Sequence, residues 1–249
     1  MEGKNIYFVS DAHLGSLLLE NKIEHERKLV RWLEFVRPTA KSIFLMGDIF
    51  DFWYEYKTVV PKGHVRLLGK LAEMTDSGIA IHFFTGNHDI WTFGYLEQEV
   101  GLHVHRKPET LQLGSKMFFL AHGDGLDNDK GFKIIRAVFH SQLAQRLFRY
   151  LPAELGQRFG YHWSKQNRLK HKRYDGAFQG ELKENLVAFS KQHAELHPEI
   201  DFFVFGHRHI VLDLQLKNKS RTIILGDFVS AFSYGIFDGE NFTLEYFDC

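Results

Sequence analysis

The sequence predicts a layered α/β or α+β domain, and three observations support this fold class. Apolar, β-branched and aromatic segments of strand length alternate with segments of helical periodicity along the chain. The composition, 44% hydrophobic and 25% charged over 249 residues, is that of an ordinary globular protein. No repeat, low-complexity segment or Pro/Gly-rich linker divides the chain. Residues 1–249 are therefore expected to form a single domain.

The predicted elements follow from local patterns. The first strand, "NIYFVSD" at 5–11, precedes a helix at 22–38 in which apolar residues recur at helical spacing until Pro38. A helix at 63–78 is closed by Gly78. The other predicted elements are strands at 41–48, 79–89, 116–125, 200–209, 221–227 and 235–247, and a helix at about 180–196.

The charge is unevenly distributed, although the chain carries 31 basic and 31 acidic residues. Residues 130–183 hold twelve Lys or Arg and three acidic residues. Within them, "FKIIRAVFHSQLAQRLFRYLPAEL" at 132–155 has the spacing of an amphipathic basic helix. Such a helix packs on its own domain or lies on an anionic membrane surface.

Several classes of protein are disfavoured. A single cysteine, Cys249, excludes an internal disulfide framework. No apolar stretch approaches the roughly 18 residues of a membrane span, and the N-terminus enters a strand without a signal peptide, so a cytoplasmic protein is expected. Nucleic acid is disfavoured as a partner because the basic residues lie among aliphatic ones without an evident stacking platform.

Five of the apolar segments end at side chains that can bind metal. A single such end is compatible with an ordinary turn, but five in succession favour a site, since ligands bind where loops converge at strand ends. The residues are Asp11 and His13, Asp48, Asn87 and His88, His122, and His207 and His209.

The chemistry of these side chains indicates the ions. Carboxylate, imidazole and amide ligands without thiolate suit Mn²⁺, Fe²⁺, Zn²⁺ or Mg²⁺. Even without His88, seven ligands exceed the needs of one four-coordinate ion and suffice for two ions that share a carboxylate. Two such ions can clamp a phosphate and activate water.

The ordered motifs resemble those of the calcineurin-like metallophosphoesterases. They are Asp11-x-His13, Gly47-Asp48, "GNHD" at 86–89, "HGD" at 122–124 and "GHRH" at 206–209. The resemblance implies a four-layer α/β/β/α sandwich with a dinuclear site at one edge. It further implies one ion held by Asp11, His13 and His209, a second held by Asn87, His122 and His207, and Asp48 as the bridge.

The resemblance gives His88 and Asp89 catalytic roles. The histidine of a "GNHD" signature faces the substrate, and the acid after it orients the imidazole. Such a histidine can act on phosphate as a cation or as a proton donor.

A narrower resemblance is to the UDP-2,3-diacylglucosamine hydrolases of lipid A synthesis. It rests on "SDAHLG", "GDIFDFW", "AHGDGLDNDKGF" and a helical insert before "FGHRH". The implied reaction yields 2,3-diacylglucosamine 1-phosphate and UMP, usually with manganese. The insert, residues 126–185, is then a helical cap over the acyl chains of the lipid. This chain departs by having His88 where well-known members have arginine.

Substrate-binding residues are implied in the same way. Asn87, His88 and His207 would contact the substrate beside the ions. The further positions are Asp129, Phe132, Ser164, Lys165, Asn167, Arg168 and Lys170.

Lipid-bound phosphate needs both apolar surface and cations, which predicts peripheral binding to the cytoplasmic face of the inner membrane. Two other classes stay open: a broader dinuclear phosphoesterase acting on nucleotides or other phosphodiesters, and a non-catalytic scaffold of the same fold. Retention of all seven ligands disfavours the scaffold.

Overall fold

A computed structural model describes residues 4–126, 137–139, 141–171, 178, 180–181 and 183–248. Two of the positions expected near the substrate, Asp129 and Phe132, lie outside the described residues. The side chain of Lys170 also lies outside the description, although its backbone is helical.

The described part of the chain alternates strands and helices. The strands are β1 (Asn5–Val9), β2 (Ala40–Leu45), β3 (Ala80–Phe84), β4 (His103–His105), β5 (Glu109–Leu113), β6 (Lys116–Leu120), β7 (Phe202–Phe205), β8 (Val211–Gln215), β9 (Arg221–Leu225), β10 (Ser233–Phe237) and β11 (Phe242–Tyr246). The helices are α1 (Lys22–Val36), α2 (Val65–Asp76), α3 (Tyr95–Gln98), α4 (Gln142–Phe148), α5 (Ala153–His171) and α6 (Asn185–Leu196).

Two mixed sheets form the centre of the molecule. One has the strand order β11-β10-β1-β2-β3-β4, in which β1 to β4 are parallel. Strand β10 pairs antiparallel with β1, and β11 pairs antiparallel with β10. The other has the order β5-β6-β7-β9-β8, with β6, β7 and β9 parallel. The parallel strands direct their carboxyl ends, and the loops that follow them, to one edge of each sheet.

Alternation along β1 shows how the layers are built. Tyr7 and Val9 pack against α1 and α2, whereas Ile6 and Phe8 point between the sheets. There, the ring of Phe8 lies 5.0 Å from that of Phe44 in its own sheet and 6.1 Å from that of Phe118 in the other. Helix α6 covers the outer face of the second sheet. The predicted four-layer α/β/β/α sandwich is confirmed.

The strands are shorter than predicted. The pattern at 41–48 predicted a strand up to Asp48, but β2 ends at Leu45 because Gly47 and Asp48 both have positive φ and turn the chain away from the sheet. The segment 235–247, predicted as one strand, is the hairpin β10–β11. The edge strands β4, β5 and β8 were not predicted.

The basic segment is also different from the prediction. A single helix over 132–155 is wrong in its described part, because α4 ends at Phe148 and α5 begins at Ala153. Pro152 has no N–H to continue α4, and it precedes the first residue of α5. Among the described residues, no helix combines the length and apolar character that a bilayer crossing requires.

Candidate metal centre

The seven predicted metal ligands follow five strands whose carboxyl ends meet at one edge of the sandwich. Strands β1, β2 and β3 belong to one sheet, and β6 and β7 belong to the other. The residues are Asp11 and His13 after β1, Asp48 after β2, Asn87 after β3, His122 after β6, and His207 and His209 after β7.

Asp11, His13 and His209 form the first group, with one ligand atom of each within 4.8 Å of the others. His209 Nε2 lies 3.3 Å from Asp11 Oδ1 and 3.3 Å from His13 Nε2. These are the three residues that the resemblance assigns to one ion.

Asp48, His122 and His207 form a second group of the same size. Asp48 Oδ2 lies 3.4 Å from His122 Nε2 and 3.9 Å from His13 Nε2 of the first group, so one carboxylate oxygen lies between the two groups. His122 Nδ1 donates to the main-chain carbonyl of Met46 at 2.9 Å, which leaves Nε2 as the nitrogen available to a metal ion.

Several polar atoms of the site are buried without a hydrogen-bond partner among the described residues. Asn87 Oδ1 is one of them, and Asp11 Oδ1 and His122 Nε2 have only ion-pair neighbours such as those described above. Leaving such an atom unsatisfied costs about 1–3 kcal/mol. A cation would satisfy all three, so the residues fit a metal site.

The backbone at the site is strained. Five of the seven candidate ligands have positive φ, between 45° and 67°. For residues with a side chain this region costs about 1–2 kcal/mol. The five residues are Asp11, His13, Asp48, His207 and His209. Strain held at so many ligand positions by surrounding structure is typical of functional sites.

Two glycines allow the ligand-bearing turns to approach one another. A Cβ atom on Gly86 would lie 2.1 Å from Asp48 Oδ1, and one on Gly206 would lie 1.9 Å from Ser10 Oγ. The N–H of His88 uses this proximity to donate to Asp48 Oδ1 at 2.8 Å. The "GNHD" turn is therefore packed directly against the central carboxylate.

Two carboxylates behind the site were missed in the sequence. Asp51 Oδ1 lies 3.3 Å from His13 Nδ1, and Asp227 Oδ2 lies 3.5 Å from His209 Nδ1. An acid behind a ligating histidine fixes the orientation of its ring. The signal was present, because Asp227 ends the predicted strand "RTIILGD" and Asp51 belongs to "GDIFD".

Burial and neighbouring charges set the ionisation of the site. Burial opposes ionisation of Asp11, but His209 and His13 outweigh it and hold the pKa of that carboxyl well below its usual value. Burial lowers the pKa of His207 to about 4. Burial opposes protonation of His209, yet Asp11 and Asp227 raise its pKa to about 10. A cation that binds here must therefore displace a proton from His209.

His88 faces the same space. Its Nδ1 lies 2.9 Å from the carbonyl oxygen of Asp51, which can only accept, so Nδ1 carries the hydrogen. Its Nε2 lies 3.9 Å from Asp48 Oδ2, and its ring stands edge-on to that of His13. Burial lowers the pKa of His88, so the imidazole is neutral near pH 7 before substrate binds.

Asp89 has a different role from the one expected. Its carboxylate accepts from the backbone N–H groups of residues 48–50 and of Gly86, at distances of 3.3, 2.8, 3.2 and 2.7 Å. His88 is oriented by the Asp51 carbonyl instead. The expectation that Asp89 orients the imidazole is therefore wrong, because this acid joins the turn after β2 to the turn after β3.

A cleft of about 430 Å³ opens beside His88, between the body of the molecule and α5. Six of its thirteen lining residues are Phe or Trp, and most of the others are polar. Four predicted substrate-binding residues line it, namely Asn87, His88, Ser164 and Asn167. Ser164 Oγ is buried without a hydrogen-bond partner among the described residues. The lining comprises Asp51, Phe52, Trp53, Asn87, His88, Ile90, Trp91, Phe139, Phe159, Gly160, Trp163, Ser164 and Asn167.

Two other predicted substrate-binding residues are placed differently. Lys165 is half-buried on α5 and is not among the described residues that line the cleft. Arg168 donates to Ser16 Oγ and to Asp51 Oδ1, so its charge is already engaged with the body.

A sandwich of this architecture, with acid, imidazole and amide side chains gathered at its strand ends, is that of a metal-dependent phosphoesterase. The chain belongs to the calcineurin-like phosphoesterase family, whose sequence model matches residues 4–211, and the resemblance drawn from the motifs is thereby confirmed. The family uses divalent metal ions, and the candidate ligand groups above are consistent with that use.

Two relatives and one solved structure show which members of the family the chain is similar to. The chain is 41% identical over 252 residues to the UDP-2,3-diacylglucosamine hydrolase of Porphyromonas gingivalis, with 96% of each chain covered. It is 25% identical to the enzyme of the same name from Photorhabdus laumondii, with 86% of each chain covered. A phosphoesterase-like structure from Streptococcus pneumoniae aligns with a TM-score of 0.43 and 11% identity, covering 98% of this chain and 88% of the other.

Proposed function

We propose that the protein hydrolyses the diphosphate of UDP-2,3-diacylglucosamine to 2,3-diacylglucosamine 1-phosphate and UMP. The observation that carries this proposal is the solvent-open cleft of about 430 Å³ under α5, which adjoins the candidate metal-ligand groups and is lined by both aromatic and polar side chains. A substrate with a phosphorylated polar head and two acyl chains needs this combination of surfaces. The P. gingivalis relative, 41% identical over nearly the full chain, supports the same substrate.

The residues divide the chemistry between them. Asp11, His13 and His209 would hold one divalent ion, and Asn87, His122 and His207 a second, with Asp48 between them. Two such ions, when bound, supply an activated water and stabilise charge on the phosphate. Mn²⁺ suits these ligands, as do Fe²⁺, Zn²⁺ and Mg²⁺.

His88 would contact the phosphate from the cleft side. Its Nδ1 is fixed by the Asp51 carbonyl at 2.9 Å, so only Nε2 is available to the substrate. Asp89 would act indirectly, because it holds the turns that carry Asp48 and Asn87. In the proposed reaction water adds to the phosphorus on the UMP side, and the sugar 1-phosphate leaves.

The cap offers a surface for the lipid and the membrane. Several apolar side chains of α4, α5 and the turn between them are strongly exposed, including Leu143, Leu147 and Tyr150 at 66%, 61% and 86%. Arg146 and Arg149 lie among them. Apolar side chains flanked by cations are typical of helices that lie on anionic bilayers. We therefore place the protein peripherally on the cytoplasmic face of the inner membrane.

The second candidate is a broader phosphoesterase of the same fold, and His88 favours it, because histidine replaces the arginine of well-known lipid-specific members. Turnover of UDP-2,3-diacylglucosamine and of bis(p-nitrophenyl) phosphate, measured at equal Mn²⁺, separates the two. The proposal predicts a much higher kcat/KM for the lipid. Comparable values on both substrates would support the broader enzyme instead.

A further inference from the structure

One side chain of the cap reaches the support of the candidate metal centre. Arg168 lies on α5, and its Nη1 donates to Ser16 Oγ at 3.2 Å and to Asp51 Oδ1 at 3.5 Å. The Asp51 side chain is completely buried, whereas that of Arg168 is 19% exposed. The guanidinium thus enters from the cap and ends on a buried carboxylate of the body.

The oxygen that Arg168 contacts is the one that faces His13. Asp51 Oδ1 lies 3.3 Å from His13 Nδ1, while His13 Nε2 points to the opposite side, 3.7 Å from Asp11 Oδ1 and 3.9 Å from Asp48 Oδ2. Asp51 therefore stands behind a candidate ligand, and Arg168 stands behind Asp51. A change in the position of this carboxylate would change the direction of the ligating nitrogen.

The position of α5 against the body is closely defined. A Cβ atom on Gly160 would lie 2.3 Å from the ring of Phe52, and one on Gly15 would lie 2.9 Å from Tyr161 Oη. These contacts flank Ser16 and Asp51 in the sequence. The helix is therefore packed tightly where Arg168 crosses to the body, so the contact depends on a docked cap.

We propose that Arg168 is a positioning residue that couples the docked cap to His13 through Asp51, so that the cap strengthens metal binding. The inference concerns the site of the proposed function, but it does not depend on which phosphoester is the substrate. It differs from the expected role of Arg168 as a substrate-binding cation.

The direction in which metal affinity changes when Arg168 is replaced distinguishes a positioning role from a purely electrostatic one. A positive group near two dications repels them, so removing its charge alone should tighten metal binding. Removing a group that holds Asp51 in line with His13 should weaken it. A group that only binds substrate should leave the metal affinity unchanged and raise KM.

The test is Mn²⁺ affinity, measured on the full chain by titration with electron paramagnetic resonance, without substrate. Arg168→Gln should weaken Mn²⁺ binding about tenfold, as expected for loss of a partner behind a metal ligand. Arg168→Lys, which keeps a cation at this position, should recover most of the affinity. Arg158→Gln, an exposed change of equal charge on the same helix, is the matched control and should have no effect.

A double-mutant cycle completes the test. Asp51→Asn should also weaken Mn²⁺ binding, and Arg168→Gln should add little to it, because both changes break one chain of contacts. Equal or tighter Mn²⁺ binding by Arg168→Gln overturns the proposal, as does full additivity with Asp51→Asn. Failure of the wild type to hydrolyse the lipid would refute the proposed substrate and leave this coupling intact.

Discussion

The candidate metal centre and the helices α4 and α5 of the proposed cap are built in opposite ways. At the strand ends, candidate ligands such as Asp11 and His122 are buried, and five of the seven have strained backbone conformations held by packing and hydrogen bonds. Leu143 and Leu147 on α4 and Leu155 on α5 leave more than half of their surface exposed. The first arrangement fixes atoms to a fraction of an ångström, as ion binding requires. The second leaves apolar surface available to a partner without fixed shape, such as acyl chains.

The largest loss of activity is expected from a change in Asp48, which lies between the two candidate ligand groups. Asp48→Asn should lower kcat by about 10³-fold or more, because a neutral amide bridges two cations poorly and several kcal/mol of transition-state stabilisation depend on them. Elemental analysis should show close to two ions per wild-type chain and fewer in the variant. Asp76→Asn, at an exposed position on α2, is the matched control. A fully active protein after exhaustive chelation would show that the centre is not metal-dependent.

His88 lies at the boundary between the two regions, and its replacement should cause the second-largest loss of activity. His88→Ala should lower kcat about 10²-fold while both ions stay bound, because a contact to the developing phosphate charge is lost. Wild-type kcat and KM in this variant would show that the His88 side chain has no role beyond forming the turn.

His88→Arg then separates a cation from a proton donor. Burial lowers the pKa of His88, so a required imidazolium would make activity fall as pH rises through that lowered pKa. If the cation is what matters, the arginine variant should stay active and lose this decline. If a proton must be donated, arginine should be as poor as alanine, since guanidinium holds its proton near neutral pH.

Substitutions on the exposed apolar face of the cap should have the smallest effect, and they should weaken only binding to lipid. Replacing Leu143, Leu147 and Leu151 by serine should weaken vesicle binding about tenfold, equivalent to losing roughly 1.4 kcal/mol of apolar burial. Hydrolysis of a soluble phosphodiester should be unchanged. Serine at three exposed apolar positions of the body, Ile23, Val65 and Leu196, is the matched control. Equal losses on lipid and soluble substrates would mean that the cap face is ordinary packing surface.

The same contrast explains which residues of the site could be predicted from the sequence and which could not. The candidate ligands were predictable because they follow five apolar strands, a local pattern that the layered fold then brings together. Asp51 and Asp227 were missed because their meaning depends on which histidine lies in front of them, and that is set by packing between distant segments. Local sequence could not assign Asp89 either, since its four backbone donors come from two separate turns.

The cap and the sheet edges were less predictable for different reasons. Apolar residues keep helical spacing through Pro152, which concealed the break between α4 and α5. Phe148, an apolar residue of the helix predicted at 132–155, packs against Tyr54 and Trp91 of the body at ring distances of 4.7 Å each. The hairpin turn at 238–241 carries an Asp-Gly signal that the long apolar pattern around it obscured.

The most direct test of the account is to follow the oxygen of water. Purified protein with Mn²⁺ and UDP-2,3-diacylglucosamine in ¹⁸O-labelled water, analysed by mass spectrometry, should yield UMP carrying one heavy oxygen and unlabelled 2,3-diacylglucosamine 1-phosphate. Label in the sugar phosphate would contradict attack on the UMP side. Absence of both products, with a soluble phosphodiester still hydrolysed, would contradict the proposed substrate.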